Sequence, residues 1–126
     1  MKLVTPLARA RGLGTAKSGV SHWWQQRATA IAIVPLGLWF ICSMARLDTS
    51  SHAAVVEWFR DPMTLTLFIL LIVAALQHAH LGLQVVIEDY VESDFGKIIG
   101  ILAVRFLAAF AGLAAIVAAL LVALGD

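Results

Sequence analysis

Side chains able to do chemistry are sparse in this sequence, and three of them, Gln77, His78 and His80, lie together inside one long apolar stretch. An imidazole in such a place serves as a hydrogen-bonding group, a proton carrier or a metal ligand. In a helix, successive residues turn by about 100°, so His78 and His80 project roughly 200° apart and do not bind one ion together. His78 shares its face with Ala74, Ala75, Gly82, Val85 and Asp89. Small residues a turn to either side of a histidine leave clearance for something flat and wide. A porphyrin needs that clearance, and its iron takes a neutral imidazole as axial ligand; close packing by another helix needs it equally. Spacing alone leaves both open. The stretch ends in Glu88, Asp89 and Tyr90, and Asp89 follows His78 by eleven residues. That is roughly 16 Å of helix, which sets the imidazole near mid-membrane when Asp89 marks the surface.

The elements that position these groups follow from composition. Of 126 residues, 61% are hydrophobic and 13% charged, against about 25% charged in a soluble domain. Too few charges are present to cover a globule, so the fold class is all-α and integral to a membrane. Positions 1–126 read as a single transmembrane domain with a polar tail at 1–27 and spans at about 28–45, 62–87 and 96–124. Each is long enough, with its interfacial ends, to cross a hydrocarbon core of about 30 Å. Pro35 predicts a local kink in the first span, and Asp61-Pro62 reads as an N-cap followed by proline at the first helical position. Between the first two spans, Val55, Val56, Trp58 and Phe59 suggest a short interfacial piece rather than a free loop. Ser93 is placed to cap the third helix.

Lys and Arg set the orientation. The tail holds Lys2, Arg9, Arg11, Lys17 and Arg27 with no acid, and Lys97 falls on the same side, whereas the opposite side carries Arg46 and Arg60. The tail is therefore expected in the cytoplasm. Trp23 and Trp24 at one end and Trp58 at the other fit interfacial aromatic belts. The basic start is followed by no short apolar core and cleavage site, so a bacterial inner membrane is the simplest location. The lone Cys42 excludes an internal disulfide, and a net charge of +1 points to no nucleic acid.

Two segments carry a family resemblance. His78-Ala79-His80-Leu81-Gly82-Leu83-Gln84-Val85-Val86-Ile87-Glu88-Asp89-Tyr90-Val91 resembles the second-helix signature of the small membrane-anchor subunits of succinate dehydrogenase, respiratory complex II. Gly19-Val20-Ser21-His22-Trp23-Trp24-Gln25-Gln26-Arg27-Ala28-Thr29-Ala30 resembles the entry of the same family into its first helix. The likeness covers most of residues 12–91. It implies an anchor packed with a second one, the cytochrome b anchor subunit, and holding a flavoprotein and an iron–sulfur protein, with one haem b shared between the two anchors. By the resemblance His78 is the haem axial ligand, with Gly82 packing on the haem face. Arg27 falls near the propionates, where a planar cation suits a carboxylate, and His22 is a candidate for a propionate contact or proton relay. Tyr90, with Asp89 beside it, matches the group that hydrogen-bonds ubiquinone.

His80 stands where some members of that family carry an aromatic, and it is expected to turn toward the partner or toward lipid-facing helix neighbours. Arg105, two turns inside the third helix, is expected to snorkel to the surface, and His52 to be solvated. Rival readings are a fumarate reductase anchor and a structural membrane adaptor that binds no cofactor. A transporter would need a polar path along several helices, which the first and third spans do not offer. Reporter fusions at Lys2 and at Asp126 should report opposite sides of the membrane; both on one side would remove a span.

Overall fold

The computed structural model describes residues 16–125, with side chains from position 19 onward. Lys2, Arg9, Arg11 and Asp126, which bear on the orientation, lie outside the described residues, as does the side chain of Lys17. Four helices follow one another: α1 (Ala16–Arg46), α2 (His52–Arg60), α3 (Pro62–Tyr90) and α4 (Asp94–Leu124). Three of them, α1, α3 and α4, are long and apolar enough to cross a membrane. The helix containing the first span begins well before position 28, and it runs unbroken through Pro35.

The caps explain where the helices start. Asp61 has extended backbone, and its carboxylate accepts from Thr64 N at 2.7 Å, with Pro62 in the first turn where its missing N–H costs nothing. Hydrogen bonding from Thr64, first through its side chain and then through its backbone, holds the Asp61 carboxyl below the usual carboxylate range. A depressed folded pKa means that the cap's contribution is present above the ordinary carboxylate value and is lost as pH falls through the lowered one. Ser93 caps α4 by accepting from Gly96 N at 2.9 Å. Ser51 caps α2 in the same manner, from Ala54 N at 3.3 Å.

α3 is the central helix. It packs along both α1 and α4, while α1 and α4 do not approach one another among the described residues. Small residues set how closely α3 and α4 lie: a Cβ at Gly112 would stand 2.9 Å from Leu76 Cδ1, and one at Gly100 would stand 3.2 Å from Ile87 Cγ2. Ala119 and Ala123 are buried on the same helix. Such close backbone approach is how helices gain dispersion contacts where lipid offers no hydrophobic contrast. The outer faces stay apolar, as with Ile31, Val34, Leu38 and Ile41 on α1, all exposed.

The segment between the first two spans is a helix, α2, fastened by aromatic rings. Trp58 stacks on Trp39 with centroids 6.0 Å apart and planes 16° off parallel. Its edges meet Phe59, Phe68 and Phe40 in T-shaped contacts. One residue of α2 thus ties α1 to α3 at the end opposite the α3–α4 turn. Arg60 Nη2 donates to Gly125 O at 2.7 Å and ties α2 to the end of α4. Trp58→Ala, which deletes a half-buried ring shared by four others, should cost about 1–3 kcal/mol, below the 3–5 of a fully buried aromatic, read as a lower thermal midpoint in detergent.

Candidate functional site

α3 carries the polar side chains of the middle of the bundle, and its two histidines face different surroundings, as helical rotation requires. His78 turns to α1. Its Nδ1 lies 3.1 Å from Thr29 Oγ1, and its Nε2 lies 3.5 Å from the Gln26 side-chain nitrogen. Gln26 and Thr29 are one turn apart on α1, so a single stripe of that helix meets the imidazole. One turn further along α3, Gly82 presents bare backbone: among the described residues, the only side-chain atom near its absent Cβ is the Gln26 amide nitrogen, at 3.6 Å. The Gln26 Oε1 is buried and has no hydrogen-bond partner among the described residues. The flat patch beside His78 Nε2 is therefore covered by the end of one flexible, incompletely satisfied side chain.

His80 differs from the expectation. It does not turn outward but is buried at 5% exposure inside this chain, next to Leu81 at 3%. The reason is the separation of α1 and α4, which leaves a cleft between them with this face of α3 as its floor. His80, Gln77 and Arg105 line both a cavity of about 350 Å³ and an adjoining one of about 410 Å³. The first continues past Gly112 and Ile116 and is mostly apolar; the second opens past His22, Gln84 and Glu88 and is polar. Nε2 of His80 and Nε2 of His22 are buried without partners among the described residues. Arg105 borders this cleft.

The other predicted site residues occupy the two ends. Arg27 is exposed, its guanidinium 5.2 Å from the Trp23 ring centroid in a cation–π contact, and it does not meet His78. His22 lies with His80 rather than with Arg27. Asp89 and Tyr90 end α3, both exposed, Tyr90 at 82%. The structure thus brings His78 and Gly82 together and leaves Arg27, Asp89 and Tyr90 on outward surfaces. Sequence reading missed Gln26 and Thr29 as neighbours of His78. Their spacing of three, on the helix that packs on His78, was the available signal. No group of three or more His, Cys, Asp or Glu side chains among the described residues has the arrangement to hold a metal ion.

Three apolar spans, the central one carrying Gln77, His78 and His80, with one half-buried imidazole beside a glycine, define a small multi-pass membrane protein of the anchor type. The profile of the Succinate dehydrogenase/Fumarate reductase transmembrane subunit family matches residues 1–123, and the chain belongs to that family, as the two motifs predict. Among curated relatives, a succinate dehydrogenase hydrophobic membrane anchor subunit of Rickettsia bellii is 36% identical over 89 residues, 70% of each chain. That of Paracoccus denitrificans is 30% identical over 106 residues, covering 84% of this chain and 82% of its own. The succinate dehydrogenase membrane anchor subunit of Reclinomonas americana is 30% identical over 96 residues, 73% of this chain and 79% of the relative. No solved structure matches the chain.

Among the described residues His80 makes no hydrogen bond through Nε2, and it borders a cleft with room for a larger ring. Removing an unsatisfied buried polar group costs little when the replacement fills the same space. His80→Phe should therefore leave thermal stability within about 1 kcal/mol of wild type; a drop of several degrees in the thermal midpoint would mean that His80 is paired in the assembled protein.

Proposed function

We propose that this chain is the small membrane anchor of a succinate:ubiquinone oxidoreductase, seated in a bacterial inner membrane with its N-terminus in the cytoplasm. It would help to bind haem b and ubiquinone, and dock the flavoprotein and iron–sulfur subunits. The observation that carries the reading is the placement of His78. It is the one histidine of α3 set a turn from a glycine, with a glutamine amide alone over that glycine among the described residues, and it matches the haem-ligand position of the family motif. A single imidazole supplies one of two axial positions, so the second belongs to the partner, the cytochrome b anchor.

The residues present fit such a group. A porphyrin edge would displace the Gln26 amide from Gly82, and that amide is held by nothing stronger than a 3.5 Å contact. The bound haem would supply a one-electron store between the iron–sulfur protein and a quinone that needs two electrons. Tyr90 and Asp89, exposed at the end of α3, would face a partner, with the Tyr90 phenol donating to a quinone carbonyl. A preorganised donor of this kind stabilises charge that develops on the carbonyl oxygen. Arg27, exposed beside Trp23, offers a cation to a propionate, and His22 a second polar contact from the cleft side. The isolated chain is expected to have no enzymatic activity, since the oxidation of succinate belongs to the soluble subunits.

The relatives above are named as succinate dehydrogenase subunits, which favours this direction over fumarate reduction. Purification in mild detergent should bring down a second small membrane protein and two larger soluble ones, with a b-type reduced-minus-oxidised spectrum. A complex of that composition with no haem spectrum would favour a cofactor-free adaptor. In the assembled complex, Tyr90→Phe should lower quinone reductase activity about tenfold, the size of one lost hydrogen bond in the transition state. Succinate oxidation by an artificial soluble acceptor should stay near wild type; equal loss in both assays would remove the quinone role from Tyr90.

A further inference from the structure

We infer that Thr29 is the positioning residue that sets the tautomer of His78 and leaves its Nε2 lone pair free for iron, an inference that rests on the haem-ligand reading above. Thr29 Oγ1 lies 2.8 Å from Gln25 O, 3.1 Å from Gln26 O and 3.1 Å from His78 Nδ1. A hydroxyl has one hydrogen and two lone pairs, and a backbone carbonyl only accepts. The hydrogen therefore goes to the nearer carbonyl, that of Gln25, one turn back along α1. The Thr29 oxygen is left as an acceptor, and the imidazole must present Nδ1–H to it. A neutral imidazole protonated at Nδ1 carries its lone pair on Nε2. The Gln26 side chain agrees in polarity, since its amide nitrogen, a donor, is the group that faces Nε2.

The chain of donation runs His78 Nδ1–H to Thr29 Oγ1–H to Gln25 O. Each bond polarises the next, and both draw the imidazole proton away from the ring. The ring becomes a stronger donor at Nε2, the effect that an acceptor on the far nitrogen has on other metal-bound histidines. Hydroxyls that bond back to a carbonyl three or four residues earlier are common in helices and mostly local in effect. Here the same hydroxyl also reaches another helix, so α1 fixes both the orientation and the basicity of a ligand carried by α3. The contact also pins the ring about its χ2 torsion, because rotation by half a turn would place carbon where Thr29 needs N–H.

The test uses the assembled complex with Thr29→Val and Thr29→Ser. Valine keeps the branched shape and neither donates nor accepts; serine keeps the hydroxyl. Thr29→Val should retain a low-spin spectrum, raise the haem midpoint potential because the ferric state loses donor strength, and release haem about tenfold more readily. Thr29→Ser should restore both. Wild-type potential and retention in Thr29→Val would overturn the inference, and so would a serine variant that behaves as valine, since packing would then be the cause. A low-spin spectrum that survives His78→Phe unchanged would instead overturn the ligand reading itself. Where Thr29→Val does not assemble, 15N-histidine NMR of the wild-type complex in its ferrous state reads the same bond. A downfield, hydrogen-bonded Nδ1–H for His78 supports it, and a free one overturns it.

Discussion

In hydrocarbon a polar side chain finds its partner inside the protein or does without one, and this constraint decides which helix stands in the middle. α3 carries Gln77, His78 and His80 at membrane depth, whereas α1 and α4 present long apolar faces. Only a central position gives both sides of α3 something polar to meet. α1 supplies Gln26 and Thr29 to one side, and Arg105 of α4 stands over the other. The small residues of α4 follow from the same arrangement: with α3 flanked on both sides, close approach is the available source of packing energy, and Gly100 and Gly112 permit it.

The two histidines divide α3 into faces with different characters. On the His78 face the ring has a near partner at Nδ1 and a distant one at Nε2, and bare glycine backbone lies beside it. On the His80 face an imidazole is sealed among side chains, Nε2 unpaired among the described residues, beside a cleft that runs from polar to apolar. Two residues apart in sequence, the rings thus differ in burial, partners and openness, and a substitution at one should leave the other's surroundings intact.

Much of this was legible in the sequence because it depends on local rules. The Asp61-Pro62 start and the Ser93 cap each rest on a few neighbouring residues and stand where they were expected, and the segment around Trp58 is an ordered short helix rather than a free loop. The 200° separation of His78 and His80 is equally local. The direction of His80 was not legible, because it depends on α1 and α4 standing apart, a property of three helices at once. That α1 reaches back as far as Ala16 was missed for another reason: charge and polarity report where the membrane ends, not where the helix does. Thr29 lay inside one of the two family motifs without a role, since its meaning appears only when α1 is docked against α3. Arg27 stays outward beside Trp23, away from the His78 site.

The length of α1 has a mechanical consequence. Its 31 residues make roughly 46 Å of continuous helix, against about 30 Å of hydrocarbon. The excess is a rigid strut rising from the bilayer, stiff because each turn is bonded to the next. Gln26 and Thr29 sit on the same rod. A partner seated on such a strut would be held at a distance from His78 counted in helical rises, without the slack of a loop. A one-residue insertion in this rod would lift that seat about 1.5 Å and turn it about 100°, a change that a flexible tether would absorb and a rigid helix passes on.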